Sequence, residues 1–424
     1  MTSIRVLIAD DSAFLRKSIS SILTVEKSIE IVDTAVNGRE AIEKVNQYHP
    51  DVLILDLLMP EMDGLEAFKH IMNDYPVPTI ILSAVNPQNM DASVQALLMG
   101  AFDYVIKPGG IGAKDLPRFR EELRSKVLLA SQSQINRIYS KTEEKSRSTS
   151  LRQQLIDETF EFGVYLRELK PIEEEVQKNK YVITEKVKVR ARKKEKIDDH
   201  IKAEVPPVSD LQESKASPNT VKPIISEFDR HSRLKLENPV IVIGASVGGP
   251  KTVRTILKDL PRNFPVPILI VQHLSEFFLE SFAMSLDAAC KIKVKVAQDG
   301  ESILPGIAYV SPGGKHMEIT MKNNTPIIKI FTGKPVNFCM PSVDVLFSSA
   351  ARIYKKNTIG VLLTGIGKDG VNGLGTIKNS GGITIAESEE TSVLYGMPRF
   401  AKEQGMAKLI LPNYRISEYM KSII

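Results

Sequence analysis

The sequence of 424 residues contains no tryptophan and only two cysteines, Cys290 and Cys339. Two cysteines are too few for a disulfide framework or for a zinc site built from cysteines. No apolar run reaches the roughly 18 residues that a membrane span requires, and the first residues lack the profile of a signal peptide. These absences argue against a disulfide-rich secreted protein and an integral membrane protein. They predict a reduced, cytoplasmic protein without membrane insertion.

Charge is distributed unevenly along the chain. Residues 1–110 carry 8 basic and 15 acidic groups, residues 238–424 carry 21 and 14, and the stretch between them carries 27 and 22. The net charge of +5 is therefore a cancellation between an acidic block (−7) and two basic blocks (+5 and +7). The length exceeds one ordinary core. We expect one domain over residues 1–130, a charged and flexible linker over 131–237, and a second domain over 238–424.

Short apolar runs alternate with helical patterns in both terminal blocks. In the first block five runs rich in β-branched residues, beginning with Ile4–Ala9 and Ile29–Ala35, are separated by segments of helical period. Nearly continuous apolarity is typical of strands that are buried on both faces of a parallel sheet. The last block has the same alternation, so the sequence predicts an α/β fold with two doubly wound parallel-sheet domains.

Polar residues follow several of the predicted strands in the first domain. Asp10 and Asp11 end the first strand, and Asp56 ends the third. The carboxyl ends of these strands flank the switch point of a doubly wound sheet, where ligands bind. Three carboxylates there repel one another unless a cation joins them, and oxygen ligands favour Mg²⁺. Ser83 and Lys107 end the fourth and fifth strands, where a hydroxyl and a cation suit an incoming phosphoryl group.

The chemistry that this arrangement predicts is phosphoryl transfer to Asp56, which forms an aspartyl phosphate. We expect Asp10, Asp11, Asp56 and the backbone carbonyl of Leu58 to hold the metal. A single aspartate at a strand end more often caps a helix. Five residues of suitable type at four strand ends favour the chemical interpretation.

Four segments of the first block, IADDSAFLRK, DVLILDLLMPEMDG, ILSA and DYVIKPGG, resemble a response-regulator receiver domain over residues 4–129. The resemblance implies a flavodoxin-like fold and Mg²⁺-dependent phosphorylation by a histidine kinase. Tyr104, three residues before Lys107, occupies the position of the family's switch aromatic.

A glycine-rich loop, GASVG at residues 244–248, lies between a strand and a helix of the last block. The pattern G-x-S-x-G is typical of a nucleophile elbow, in which a tight turn presents a serine at a helix start. A glycine-rich turn in this place is also typical of a phosphate cradle. The loop alone supports both interpretations equally.

A serine nucleophile needs a base and a group that orients the base. His273 ends the second strand of the block, and we expect it beside the strand that delivers Ser246. His316 lies in a turn-like segment and is the poorer base, with a structural or substrate-lining role. Asp369 follows another strand in a glycine-rich loop, whose N–H groups could form an oxyanion hole. The combination of Ser246, His273 and Asp369 predicts acyl hydrolysis.

Six segments of residues 238–424 resemble the catalytic domain of CheB-type protein-glutamate methylesterases: VIGASVGGP, VQHL, SPGGKHM, NFCMPSVDVLF, LLTGIGKDG and AESEETSVLYGMPRFA. The resemblance implies a Rossmann-like domain that needs no cofactor and hydrolyses glutamyl γ-methyl esters on chemoreceptors, with deamidation of receptor glutamines. It makes Ser246 the nucleophile, His273 the base and acid, and Asp369 the orienting group. It also implies that the receiver covers the esterase cleft until Asp56 is phosphorylated by the chemotaxis histidine kinase.

The chain departs from the commonest form of that family at three positions. Val247 stands where a threonine is usual, and Ile366 and Lys368 stand where methionine and asparagine are usual. A backbone oxyanion donor at Ile366 would survive the change of side chain.

Two rival interpretations remain at the level of sequence. A non-enzymatic response regulator could bind a nucleotide or a protein partner through the glycine-rich loop. The basic residues 187–196 could bind a nucleic acid, but no helix-turn-helix pattern or base-stacking aromatics accompany them. We therefore predict no nucleic-acid partner.

Overall fold

The structure is a computed structural model of the chain, and it describes residues 3–108, 116–135 and 236–422. Most of the predicted linker, including the basic residues 187–196, lies outside the described residues. The domain boundaries and the flexible linker therefore stay predictions.

The first domain alternates strands and helices along the chain. Its elements are β1 (Ile4–Ala9), α1 (Ala13–Leu23), β2 (Ile29–Ala35), α2 (Gly38–Tyr48), β3 (Val52–Asp56), α3 (Gly64–Asp74), β4 (Thr79–Ser83), α4 (Pro87–Met99), β5 (Asp103–Ile106) and α5 (Leu116–Ser131). The apolar runs of β3 and β4 are wholly buried, as the continuous apolarity predicted.

Side-chain caps begin helices α1 to α4 of this domain. The side chains of Ser12, Asn37, Asp63 and Asn86 each accept a hydrogen bond from the backbone N–H three residues later. The five strands are parallel in the order β2-β1-β3-β4-β5. This order confirms the doubly wound sheet, with β1 and β3 adjacent at its switch point.

The second domain is larger. Its elements are β6 (Val240–Ala245), α6 (Gly249–Lys258), β7 (Ile268–Gln272), α7 (Glu276–Ala289), β8 (Lys293–Val296), β9 (Ile307–Val310), β10 (His316–Lys322), β11 (Thr325–Phe331), α8 (Val343–Tyr354), β12 (Thr358–Leu362), α9 (Val371–Asn379), β13 (Ile383–Glu387), α10 (Met397–Glu403), β14 (Leu409–Leu411) and α11 (Asn413–Ser422), with a short 3₁₀ turn at Lys355–Asn357.

Seven of these strands form a parallel sheet in the order β14-β13-β12-β6-β7-β9-β8. The central strand β6 lies between β12 and β7. The loops that leave the carboxyl ends of these three strands therefore meet at one edge of the sheet, and they carry Ser246, His273 and Asp369.

The hairpin of β10 and β11 is antiparallel and separate from the main sheet. His316, which the sequence put in a turn-like segment, begins β10 and is buried. Its Nε2 donates to the Lys334 carbonyl at 3.0 Å, and its Nδ1 accepts from the Ser342 N–H at 3.2 Å. Both ring nitrogens are occupied by backbone groups, which is the structural role expected for this residue.

The two domains are in contact within the described residues. Helix α4 of the first domain packs against α6 and α7 of the second. The Ser281 hydroxyl on α7 donates to Asp91 Oδ1 on α4 at 2.6 Å. Among the described residues, no helix has the length and apolar character that crossing a membrane requires.

Candidate active site

Ser246 lies in the turn between β6 and α6, at the carboxyl edge of the larger sheet. Gly248 has a φ of +75°, and a Cβ there would lie 2.5 Å from the Cβ of Val393. A Cβ on Gly249 would lie 2.2 Å from Gln272 Oε1. The turn therefore requires glycine at both positions for space, and at Gly248 for conformation as well. Ser246 itself is only 9% exposed and lines a cleft.

Neighbouring strands hold the serine turn in place. The Ser246 N–H donates to the Thr364 carbonyl at 3.0 Å, and its carbonyl accepts from Gln272 Nε2 at 2.8 Å. The Thr364 hydroxyl donates to the Val247 carbonyl at 2.9 Å, and the Thr364 N–H donates to Glu387 Oε2 at 2.8 Å. These supporting residues were not singled out from the sequence, although Gln272 and Thr364 stand inside two of the quoted segments.

His273 follows β7, and its N–H donates to the carbonyl of Ala245, the residue before Ser246, at 2.9 Å. Its Nε2 donates to Asp369 Oδ2 at 2.9 Å. The other ring nitrogen, Nδ1, lies 3.7 Å from Cys339 Sγ. His273 and Ser246 line the same cleft, but within the described residues no hydrogen bond joins the serine hydroxyl to the imidazole.

The pKa of His273 is raised to about 9. Burial acts in the opposite direction and lowers the pKa, but the contacts with Asp369 and Cys339 outweigh it. The imidazole is therefore mainly protonated at neutral pH, and only its neutral fraction has a free lone pair for a serine proton.

Asp369 lies in the loop after β12 and is buried at the N-terminus of α8. It accepts from the Ser342 hydroxyl and the Val343 N–H, both at 2.7 Å, and from Asn337 Nδ2 at 2.9 Å. Burial raises the pKa of this carboxyl, but the hydrogen bonds from His273, Asn337 and Ser342 hold it below its ordinary value. Asp369 is therefore an ionised group in a fixed orientation.

Two further residues at the site were missed by the sequence reasoning. Asn337 joins Asp369 to Asp344, and Cys339 contacts the imidazole. Both lie in a loop between β11 and α8 that is closed by paired backbone hydrogen bonds between Val336 and Cys339, at 3.0 and 2.9 Å. The segment NFCM contains both residues, but nothing in its pattern indicates which side chains turn toward the histidine.

Ile366 lies in the loop after β12 and is 40% exposed. The preceding residue, Gly365, brings this loop close to the nucleophile, because a Cβ there would lie 2.5 Å from the Cβ of Ser246. Within the described residues the Ile366 N–H donates no hydrogen bond. Ile366 is not among the residues that line the cleft. The oxyanion role of Ile366 stays a proposal.

The second predicted site is in the first domain. Asp10, Asp11 and Asp56 have carboxylate oxygens that lie within 4.8 Å of one another, with Asp10 and Asp56 buried. Leu58, whose carbonyl is the fourth predicted ligand, is close enough for its N–H to donate to Asp56 Oδ1 at 3.3 Å. An all-oxygen cluster of this kind matches the ligand preference of Mg²⁺.

Lys107 reaches the same cluster. Its Nζ lies 2.6 Å from Asp56 Oδ2 and 2.9 Å from Asp10 Oδ2. Burial raises the pKa of Asp56 despite the lowering effect of Lys107. Burial lowers the pKa of Lys107, but Asp56 and Asp10 raise it above its ordinary value. Ser83 is buried at the end of β4, and its hydroxyl accepts from Ser93 at 2.9 Å.

Tyr104 on β5 lies at the contact between the domains. Its hydroxyl accepts from the Ser275 N–H at 2.8 Å, and its ring lies 4.4 Å from that of Phe278. Burial raises the pKa of Tyr104 to about 12. Residues of both domains line the cleft, including Tyr104 and Lys126 on one side and Ser246 and His273 on the other. The first domain therefore covers the candidate nucleophile in this structure.

Comparisons with known proteins match both halves of the chain. A family profile described as CheB methylesterase matches residues 241–420, and one described as response regulator receiver domain matches residues 6–114. Curated relatives named protein-glutamate methylesterase/protein-glutamine glutaminase match over almost the whole length. The protein from Archaeoglobus fulgidus is 34% identical, with 98% of this chain and 96% of that protein covered. The protein from Methanococcus maripaludis is 36% identical, with 97% and 95% covered.

Solved structures match each domain separately. The Thermotoga maritima CheB methylesterase catalytic domain is 41% identical and covers 45% of this chain and 100% of its own, with a TM-score of 0.44. The response regulator domain of Thermotoga maritima CheB is 35% identical and covers 31% of this chain and 97% of its own, with a TM-score of 0.29.

Proposed function

The chain belongs to the CheB methylesterase family and is a protein-glutamate methylesterase and protein-glutamine glutaminase with a receiver domain, and we propose that Ser246, His273 and Asp369 carry out its hydrolysis. The observation that carries this assignment is the hydrogen bond of 2.9 Å between His273 and Asp369, beside the turn that presents Ser246. We propose residues 1–130 and 238–424 as the receiver and esterase domains.

Ser246 is the nucleophile in this proposal. Its Oγ attacks the carbonyl carbon of a glutamyl γ-methyl ester while His273 Nδ1 takes the hydroxyl proton. Asp369 accepts from Nε2, so it fixes the tautomer that leaves Nδ1 free to act as a base and stabilises the imidazolium that forms. The geometry supports this division of roles because Asp369 holds Nε2, whereas Nδ1 faces Cys339 in the cleft that Ser246 also lines.

The two half-reactions balance through the same imidazole. When the first tetrahedral intermediate collapses, His273 returns the proton to the methoxide and methanol leaves. Water then attacks the acyl-serine, His273 takes one of its protons, and the Ser246 hydroxyl is regenerated with release of glutamate. A receptor glutamine reacts by the same route and loses ammonia instead of methanol. The Ile366 N–H is the proposed oxyanion donor.

The family implies Mg²⁺ in the receiver domain, where a bound cation would neutralise the carboxylates and promote phosphorylation. Asp10, Asp11, Asp56 and the Leu58 carbonyl are the proposed ligands, and the oxygen cluster described above supports them. Asp56 is the proposed phosphoacceptor, with Lys107 and Ser83 as phosphoryl contacts.

Methyl-accepting chemoreceptors are the proposed substrates, and a chemotaxis histidine kinase is the proposed phosphodonor. A cytoplasmic site of action stays a prediction, based on the two free cysteines.

The contact between the domains supports regulation by phosphorylation. Tyr104 on the receiver is hydrogen-bonded to Ser275, which is two residues from His273. In this arrangement the receiver covers the cleft. We propose that phosphorylation of Asp56 withdraws Tyr104 from Ser275, which opens the cleft to the substrate.

Changing Asp56 to Asn tests the regulatory proposal. Methanol release from methylated receptor membranes is measured with and without a small-molecule phosphodonor and Mg²⁺. We expect the phosphodonor to stimulate the wild type and to give a ratio of about 1 in the variant, because an amide cannot accept the phosphoryl group. Asp74→Asn, at an exposed position at the end of α3, is the matched control and should retain stimulation. Stimulation that survives in Asp56→Asn would exclude this residue as the phosphoacceptor.

Changing Tyr104 to Phe tests the route by which the domains communicate. The variant keeps the ring contact with Phe278 but loses the hydrogen bond to Ser275, which is worth about 1 kcal/mol. We therefore expect the activity without phosphodonor to rise roughly fivefold, because a shift of that size in the closed-to-open equilibrium is a factor of about 5. The rate with phosphodonor should change much less.

The matched control for this variant is Tyr75→Phe. Tyr75 is 41% exposed on the receiver, at the end of α3. Its phenol is not part of the contact between the domains, so the unstimulated rate should stay at the wild-type value. An unstimulated rate in Tyr104→Phe that equals the wild-type rate would show that the hydrogen bond does not hold the closed state.

A further inference from the structure

The catalytic histidine has a second neighbour that the hydrolytic mechanism does not use. Cys339 Sγ lies 3.7 Å from His273 Nδ1. A tetrahedral zinc ion has Zn–S and Zn–N distances of about 2.3 and 2.0 Å, which separate the two ligand atoms by roughly 3.5 Å. The thiol and the imidazole are therefore already close to the separation that two ligands of one zinc ion require.

The rest of the imidazole is arranged as in a zinc site. Nδ1 faces the thiol because Nε2 donates to Asp369 Oδ2 at 2.9 Å. Histidines that bind metals usually donate their other ring N–H to a carboxylate in this way, which fixes the tautomer and strengthens the ligand. The Ser342 hydroxyl and the Val343 N–H, both at 2.7 Å, also hold Asp369, so it is suited to support the ligand rather than to become one.

The thiol is held in place and accessible. Backbone hydrogen bonds between Val336 and Cys339 close the loop that carries the thiol. Asn337 Nδ2, in the same loop, donates to Asp369 Oδ1 at 2.9 Å. Cys339 is partly exposed and lines the same cleft as Ser246 and His273, so an ion and its remaining water ligands can enter from the solvent. The loop that carries Cys339 and the His273 ring therefore need little rearrangement to bind a cation.

We propose that Cys339 and His273 form an inhibitory binding site for a thiophilic divalent cation of the Zn²⁺ class. On binding, the Cys339 thiol and the Nδ1–H of the protonated imidazole each lose a proton to solvent, and the imidazole binds through the Nδ1 lone pair. That lone pair is the one that accepts the Ser246 proton, so the bound ion stops acyl transfer. This inference rests on the proposed catalytic role of His273. The sulfur ligand distinguishes the site from the oxygen cluster of the receiver, which suits Mg²⁺.

The second cysteine provides a matched control. Cys290 follows α7, and burial raises the pKa of its thiol to about 12 despite the nearby Arg254. Such a thiol gives up its proton to a metal with difficulty. Cys290→Ser and Cys339→Ser therefore compare two thiols of one domain, of which only Cys339 contacts the histidine.

The experiment titrates the full-length protein with Zn²⁺ at a constant, saturating concentration of Mg²⁺ and follows methanol release. For each protein the readout is the ratio of its rates with and without Zn²⁺, so different basal rates do not matter. We expect wild type and Cys290→Ser to be inhibited at the same Zn²⁺ concentration. Cys339→Ser should need at least about 10-fold more, the lower end of what even outer-shell changes cost in metal affinity. Equal inhibition of Cys339→Ser and wild type would overturn the proposal.

A spectroscopic arm separates this proposal from the proposed function. Co²⁺ replaces Zn²⁺ as the probe, and the near-ultraviolet charge-transfer absorption of a thiolate–Co²⁺ bond is recorded. We expect the band in wild type and in Cys290→Ser and its loss in Cys339→Ser. This readout is independent of hydrolysis, so the band would support the metal site even if Ser246 were not the nucleophile. A wild type without the band, or a band that persists in Cys339→Ser, contradicts the site.

Discussion

Replacing Ser246 by alanine is expected to lower kcat for methanol release from methylated receptor membranes by roughly 10⁴-fold to 10⁶-fold. Removing a serine nucleophile leaves only substrate binding and the oxyanion contacts, which retain a small part of the acceleration. The change removes one hydroxyl that, within the described residues, makes no hydrogen bond, so the fold should be preserved. The backbone bonds of Ser246 to Thr364 and Gln272 do not involve the side chain.

Ser380→Ala is the control for this variant. Ser380 follows α9 and precedes β13, so it lies at the amino edge of the parallel sheet, opposite Ser246. It should release methanol at the wild-type rate. A rate in Ser246→Ala within tenfold of wild type would remove Ser246 from the nucleophile position and reopen the interpretation of the GASVG loop as a phosphate cradle.

Much of the fold could be predicted because buried parallel strands have a clear sequence pattern. β1 and β2 lie where the apolar runs predicted them, and both sheets are parallel as expected. The hairpin of β10 and β11 was not predicted. Its strands are half exposed and contain polar residues at irregular positions, so they lack the continuous apolarity of the central strands. The short strand β14 has only three residues, too few for a pattern.

The meeting of the three proposed catalytic residues could be predicted for a topological reason. Ser246, His273 and Asp369 each follow a strand, and the strands β6, β7 and β12 are neighbours in one parallel sheet. Residues that follow the carboxyl ends of adjacent parallel strands must meet. Asn337 and Cys339 reach the same site from an irregular loop, whose path depends on tertiary contacts that have no sequence period.

The pairing of Tyr104 with Ser275 lay beyond sequence reasoning for a different reason. The resemblance to receiver domains implies that Tyr104 is the switch aromatic, but its partner belongs to another domain. Ser275 contributes only its backbone N–H to this bond, so no side-chain type indicates it. The family resemblance supplied the expectation of a covered cleft, and the structure supplied the residues that cover it.

The raised pKa of His273 limits its action as a base at neutral pH. A histidine with a pKa of about 9 is mostly a cation at pH 7, and a cation cannot accept the Ser246 proton. The hydrogen bond to Asp369, which orients the ring, also raises this pKa. The Asp369 carboxylate therefore orients His273, which favours activity, and raises its pKa, which lowers activity at neutral pH. Substituting Asp369 separates these two effects.

Asp369→Asn is the second variant for which a very large loss is expected. The asparagine amide presents either an N–H or a carbonyl toward His273. If the amide N–H faces Nε2, the imidazole must accept there and carry its proton on Nδ1, where it cannot take one from Ser246. In a serine protease the same change of an orienting aspartate lowers kcat by about 10⁴-fold, and we expect a loss of that order. Asp344→Asn, on a buried neighbouring carboxylate that does not contact His273, is the control.

The pH profile separates orientation from a merely structural role. In the unphosphorylated wild type the basic form of His273 accumulates as pH rises, so the rate should climb up to a pKa of about 9. Removing the carboxylate charge of Asp369 lowers the pKa of His273. In Asp369→Asn the rise of the rate with pH should therefore occur at lower pH, and the maximal rate should fall. Methanol release is measured between pH 6 and 10 with a chelator present, which keeps Nδ1 free of metal. A plateau that falls with the limb unmoved would mean that Asp369 supports the fold of the loop and does not act on the histidine.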